Sequence, residues 1–290
     1  MMNSDSIITT INSLFGNLFS SIDSTIYAAL DDITFIDTDI LNSYYFEKVF
    51  GTTTSNGFLL VANSLLAGFV LYYGITYLLS SLGIMQDSIQ KPSQFFFKIL
   101  IGGLLMNSSF FICEFLIQLN SLISDGIRSI GYDFLNVNIC FSDLINQLNA
   151  VIFLEENSSN IFSIDGLLKI IFSFSFFNII FSYSIRYIMI KVFVLISPFA
   201  FLSISTPNTS VFFKAWLKSF IALLFVELLA SIILIIMFSL TYSSNDVTAK
   251  LLLIGSLFAL IKANSYVREF IGGINTEISD SMYMLRTFMR

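Results

Sequence analysis

Histidine is absent from the 290 residues, cysteine occurs twice, proline three times and tryptophan once, and charged side chains make up only 12%. Each shortage removes a class of chemistry. Without histidine, and with Cys113 and Cys140 well separated, the usual metal-ligand sets and nucleophile–base arrangements have no candidates. No G-x-x-x-x-G-K-[ST] phosphate loop is present, so the chain is not expected to turn over nucleotide itself. We expect no enzyme activity, no cofactor and no metal. One thiol lies in an apolar run and the other in a polar connection, which does not make a disulfide framework.

What fills the chain instead is apolar. Hydrophobic residues are 56% of the sequence, and they recur in runs that a soluble core of this size does not need. The expected class is all-α: a polytopic helical membrane protein with about five transmembrane helices, an N-terminal amphipathic helix and a proline-broken elbow. The net charge of −6 says little about such a chain, because the placement of Lys and Arg relative to the spans is what orients it.

Residues 1–57 lack the basic start of a secretory signal and carry seven acids against the single Lys48, so they are expected to be retained. Within them Ile7, Ile8, Ile11, Leu14, Phe15, Leu18, Phe19, Ile22, Ile26 and Leu30 recur every three to four residues. That predicts one amphipathic helix, too polar to span and expected to lie on the membrane surface, with packing on partner helices as the alternative. Residues 58–119 hold the first two spans, Phe58 to Met85 and Ile99 to Leu119, the second with Gly102 and Gly103 where another helix can approach. Residues 120–165 form the largest polar insert, with six acids and one base, Arg128, and a possible amphipathic helix from Cys140 to Leu154. Residues 166–267 hold three more spans. Phe220 to Thr241 is a clear crossing, while Leu251 to Ile261 is short and crosses only if Lys250 and Lys262 snorkel. Gly255, Ala259 and Ala263 form a small-residue stripe there.

The apolar run from Gly166 to Ser205 is long for one crossing and short for two. If it crosses once, to about Tyr187, then Lys91, Lys98, Arg186, Lys191, Lys214, Lys218, Lys262, Arg268, Arg286 and Arg290 all fall on one side. Both acid-rich segments then fall on the other. This gives five spans in the cytoplasmic membrane, residues 1–57 and 120–165 external, and the elbow 196–218 and residues 268–290 cytoplasmic.

Two acids fall inside spans, where a charge costs roughly 2.5–3.5 kcal/mol at the bilayer centre. Glu114 and Lys169 lie at similar depth and form a candidate structural pair. Glu227 lies deeper, with Arg186 as its nearest partner in depth, and is the better functional candidate. Pro198 and Pro207 each disfavour helix, so the chain from Ile196 to Ser210 is expected to leave regular helix at the inner membrane face. Trp216, flanked by Lys214 and Lys218, is expected at headgroup level beside anionic lipid.

The order of these parts carries a resemblance. An apolar helix bearing Arg186 and Lys191, then "SPFAFLSISTPNT", then "FFKAWLKSFIALLFVELL", resembles the TrbL-type polytopic membrane protein of conjugative type IV secretion systems over roughly residues 165–245. The resemblance implies an external N-terminus, a central external loop, five spans and an internal C-terminus. It also implies a channel or scaffold role in passing DNA or protein across the cytoplasmic membrane, with no catalytic motif to carry over. The partners implied are other membrane subunits of an oligomeric channel, cytoplasmic ATPases that supply the energy, the transferred DNA or protein, and the lipid bilayer. A small-molecule or ion transporter subunit is the alternative, motivated by Glu114 and Glu227, although no internal repeat of the kind common in transporters is visible.

Overall fold

The computed structural model describes residues 24–52, 56–82, 92–144, 147, 164–205, 209–243 and 247–271. Among them there is no strand. The helices are α1 (Ser24–Thr34), α2 (Tyr44–Phe50), α3 (Phe58–Ser81), α4 (Pro92–Asn107), α5 (Ser109–Leu135), α6 (Ile164–Leu202), α7 (Ser210–Ser243) and α8 (Val247–Ile271). Five stretches are long and apolar enough to cross a membrane: Phe58–Ser81, Ser109–Leu135, Phe174–Ser205, Ser210–Leu240 and Thr248–Ile271. The fold is that of a multi-pass helical membrane protein.

Helices α5, α6, α7 and α8 make the bundle, and α7 packs most extensively against α8. Directions follow from which residues meet. Asn120 and Ser124 of α5 face Glu227 and Ser231 of α7, so these two helices run parallel. Helix α6 runs against both, because Arg186 meets Glu227 while Phe201, further along α6, meets Phe213, earlier on α7. The apolar interior falls into two clusters. One contains Leu30, Phe141, Phe176, Tyr183, Val226 and Leu234, and the other contains Ile36, Phe50, Cys113, Ile190, Trp216 and Phe220.

The spans differ in detail from the sequence expectation. The apolar run Ile99 to Leu119 is not one helix, since the chain turns at Ser108 (φ −91°, ψ 1°) between α4 and α5. Asn107 softens this break by returning its side-chain amide to the Gly103 carbonyl at 2.8 Å. Beyond Leu119 the helix continues to Leu135, so the stretch expected to open the external loop 120–165 is the second half of α5. Its polar residues Asn120 and Ser124 are buried against α7, which is why a run that reads as polar stays inside the bundle. Helix α7 likewise begins at Ser210, ten residues before the expected Phe220, and α8 extends well beyond Leu251 to Ile261 on both sides. The small-residue stripe divides: Ala263 is fully buried, whereas nothing approaches the Gly255 Cβ position.

The N-terminal segment also departs from expectation. Residues 1–23, most of the expected amphipathic helix, lie outside the described residues, and after them one face of α1, α2 and the chain between them packs on the bundle, with Leu30, Ile36, Leu41 and Phe50 at most 1% exposed. Phe50 sits edge-on to Phe110 of α5 at 5.0 Å, and Lys191 lies 5.9 Å from the Phe46 ring. The left-handed Gly51 (φ 101°) then ends α2, and Phe58 at the start of α3 meets Phe199 at 6.1 Å. Phe46, Phe50 and Phe58 therefore lie at the end of the bundle that carries the elbow, and not at the opposite end where the charge pattern had put them.

Helix α3 pairs with α4 through reciprocal amide bonds between Asn63 and Asn107 at 3.2 and 3.4 Å. Helix α4 in turn meets the 3₁₀ turn Ser203–Ser205 so closely that a Cβ on Gly102 would stand 1.9 Å from Ser205 Oγ. We predict that Gly102→Ala lowers stability by about 1–3 kcal/mol through overpacking. Thermal unfolding in detergent of Gly102→Ala, Ser205→Ala and the double variant tests this. The expected result is that Ser205→Ala recovers most of the loss, and strictly additive effects would contradict it.

Candidate functional site

Between the two apolar clusters lies a layer of buried polar groups. Arg186, near the middle of its span in α6, is fully buried, and Glu227 of α7 is 1% exposed. Arg186 Nη2 stands 3.5 Å from Glu227 Oε2. Neither group relies on the other alone. Arg186 Nε donates to the Leu223 carbonyl at 2.8 Å, and Nη1 donates to the Thr34 carbonyl at 3.0 Å. Glu227 Oε2 accepts from Asn120 Nδ2 at 2.8 Å, and its carboxylate also faces the Ser124 hydroxyl and the Ile36 N–H. Ser124 and Ser231 share a hydrogen bond at 2.9 Å, and Ser231 Oγ donates to the Glu227 carbonyl at 3.1 Å. Asn264 Nδ2 donates to Ser182 Oγ at 3.0 Å, one turn of α6 before Arg186, and adds α8 to the layer.

This network joins α5, α6, α7 and the segment just past α1. Removing a charged pair from water is costly unless the geometry is good and the remaining donors and acceptors are answered. Here both conditions are largely met by residues of the same chain. The placement corrects one part of the sequence expectation: Arg186 is interior and does not mark a membrane face. Its pairing with Glu227 agrees with the partner expected from depth.

The elbow is also different from its expected form. Pro198 lies inside α6, which continues through it to Leu202 and is followed by the 3₁₀ turn Ser203–Ser205. Pro207 lies outside the described residues. Pro198 has no N–H to give to the Val194 carbonyl four residues before it. The Ser197 hydroxyl takes that carbonyl at 2.7 Å, which lets the helix pass through the proline. Trp216 is in the core rather than at headgroup level. It is 4% exposed, its Nε1 donates to the Phe193 carbonyl at 3.0 Å, and its ring packs on Phe201, Phe213 and Phe220. A buried indole needs an acceptor for its N–H, and α6 supplies one beside its proline. Lys214 and Lys218 are exposed on the other face of α7. Glu114 is half-buried in α5, and the side chain of Lys169, its expected partner, lies outside those described.

At the far end of the bundle the Asp31 carboxylate accepts from the Phe141 N–H at 2.6 Å, the Ser142 N–H at 3.2 Å and the Ser142 hydroxyl at 2.7 Å. Burial pushes its carboxyl above the ordinary range, against these donors and Arg128, which pull it down. Burial likewise pushes the Cys140 thiol up to about 11. An open cavity of about 520 Å³ beside it is lined by Asp125, Arg128, Ser129, Tyr132, Asn138, Ile139 and Cys140. Arg128 pairs with Asp125 and lies 4.1 Å from the Phe35 ring. Both cysteines are free thiols, and no group of three or more metal-ligating side chains occurs among the described residues.

No family model, curated protein or solved structure matches the chain. The arrangement must therefore speak through its own chemistry: an ion pair saturated from within, and an aromatic cluster around the chain's only tryptophan.

Sequence reasoning missed Asn120, Ser124 and Thr34. A signal was present in the shared spacing of Asn120 with Ser124 and Glu227 with Ser231, four residues apart on two apolar helices. Because Trp216 is the only tryptophan, its fluorescence reports this site alone. We predict a blue-shifted emission that resists both a water-soluble quencher and brominated lipid headgroups. Strong quenching by either would place the indole at the membrane surface.

Proposed function

We propose that the chain is a membrane-embedded scaffold or channel component of a conjugative type IV secretion system, helping to pass DNA or protein across the cytoplasmic membrane. The observation that carries this reading is the closure of the Arg186–Glu227 pair by Asn120 and the Leu223 and Thr34 carbonyls of the same chain. A pair so enclosed serves to fix helices in register, as a wall element requires. It coincides with the stretch, residues 165–245, that resembles the TrbL-type proteins. In this reading the protein is an oligomer-forming subunit that works with other membrane subunits, and cytoplasmic ATPases supply the energy. The exposed Lys214 and Lys218 then face the cytoplasmic side of the machine or anionic lipid. A small-molecule or ion transporter subunit is the alternative, favoured by the presence of an intramembrane carboxylate.

The test is deletion of the coding region from the element that carries it, followed by measurement of DNA transfer to recipient cells. We predict loss of transfer with normal donor growth, and restoration by the parental chain. Glu227→Gln should restore less than Glu114→Gln, because Glu227 is the acceptor in the buried layer and Glu114 is half-buried outside it. Unchanged transfer in the deletion strain would overturn the reading, and a growth or uptake defect in its place would favour the transporter.

A further inference from the structure

Between α1 and α2 the chain forms a strap, residues 35–43, that lies within the depth of the spans without being α-helix. It starts at mid-bundle, where the Thr34 carbonyl meets Arg186, and leads toward the elbow, where Phe46 and Phe50 lie against Lys191 and Phe110. Between those levels it makes the 3₁₀ turn Thr38–Ile40, which packs on α5, and α-helix resumes only at Tyr44. Its inner side is apolar, with Ile36, Ile40 and Leu41 in the cluster that holds Cys113 and Ile117. Its outer side is polar, and Asp37, Asp39, Asn42 and Ser43 are exposed. Irregular backbone at membrane depth is tolerated against protein or water, and not against lipid tails.

Helix α5 leads to the same exclusion by a separate route. Glu114, Gln118, Ser121 and Asp125 follow at steps of four, three and four residues, which puts them on one stripe of the helix. Gln118 and Asp125 are exposed, and Glu114 and Ser121 are half-buried. The stripe adjoins the strap, since Phe110 of α5 meets Phe50 and Arg128 lies over Phe35. Continued through Arg128 to Tyr132 it covers about 27 Å of helix rise, against about 30 Å of hydrocarbon. At that end it opens into the cavity of about 520 Å³ lined in part by Asp125, Arg128 and Tyr132. Lipid cannot answer carboxylates and an amide along a spanning helix. A dry contact between copies does no better: copies in one membrane share an orientation, so a symmetric contact sets Glu114 against Glu114 and strips both of water. Water remains.

We propose that the outer side of the strap and the Glu114–Asp125 stripe of α5 border a water-filled path across the membrane, which further copies of the chain complete on the side that one copy leaves open. The Arg186–Glu227 pair lies behind this wall, and the Thr34 carbonyl ties the start of the strap to it. The inference rests on the channel reading above and names the face of the chain that meets the water.

The experiment uses the full-length chain with Cys113→Ala and Cys140→Ala, carrying one of Asp39→Cys, Gln118→Cys, Ser121→Cys or, as a control on the apolar exposed face of α5, Leu119→Cys. Each purified variant is placed in phosphatidylcholine vesicles, and a Trp216 emission equal to the parent's verifies that it is folded. The probe is a membrane-impermeant methanethiosulfonate, which reacts with the thiolate and so reports water at the cysteine. We expect Asp39→Cys, Gln118→Cys and Ser121→Cys to react at least about tenfold faster than Leu119→Cys. Diluting the vesicles to one chain each should bring the three rates down toward the control. The proposal is overturned if the three react no faster than Leu119→Cys, whether because they face lipid or because they join as disulfides in a dry contact between copies. It is also overturned if all four react equally fast, or if the three rates are unchanged at one chain per vesicle. The readout does not involve conjugation. Slow reaction at the three positions in a chain whose deletion abolishes DNA transfer would sink the path and leave the secretion reading standing.

Discussion

A guanidinium and a carboxylate in the middle of an apolar helix bundle must be answered by groups inside that bundle, because neither lipid nor bulk water reaches them. Most of the architecture follows from how Arg186 and Glu227 meet this demand. Their contact fixes the register of α6 against α7. Asn120, bound to the same carboxylate, fixes α5 parallel to α7, and the Ser124–Ser231 bond one turn away repeats the register. The Thr34 carbonyl ties the N-terminal segment to this layer, beside Leu30, Ile36, Leu41 and Phe50, which pack into the apolar clusters. Each neutral hydrogen bond of this kind contributes only about 0.6 kcal/mol within a membrane. The charged pair is the larger quantity, since loss of one member leaves an uncompensated buried charge at about 3–5 kcal/mol.

Apolar packing on either side of that layer supplies the area, and the elbow supplies the joint between α6 and α7. A proline in a helix ordinarily frees a carbonyl and bends the rod. Here Ser197 takes the freed Val194 carbonyl, and Trp216 takes the neighbouring Phe193 carbonyl from the facing helix. Sparing use of proline and tryptophan is thus consistent with their proximity: the indole that α7 buries finds its acceptor on the proline-bearing turn of α6. The Gly102 contact with Ser205 then seats α4 against the same joint.

Much of this fold was legible in the sequence. Runs of apolar residues gave the helical membrane class and a number of spans matching the five long apolar helices, because that information is local. The partner of Glu227 was also legible, since depth within a span can be read by counting. What was hidden depended on tertiary contact. Residues 120–135 read as the start of a polar loop because nothing local says that Asn120 and Ser124 face α7. The role of Asp31 was hidden because its partners, Phe141 and Ser142, are distant in sequence. Trp216 read as an interfacial anchor from its flanking lysines, although Lys214 and Lys218 lie on one face of α7 and the indole on another. Ser197, next to Pro198, could have shown that the helix continues, because a hydroxyl beside a proline can answer the carbonyl left behind.

The most direct measurement of whether the buried pair organises the molecule is a double-variant cycle on unfolding of the full-length protein in detergent, with Arg186→Met, Glu227→Leu and the two combined. Each single change should cost about 3–5 kcal/mol, because it strands one buried charge, and the combination should regain the greater part of that loss, because no charge is left unpaired. Single variants as stable as the parent, or a combined loss equal to the two single losses added together, would contradict the account.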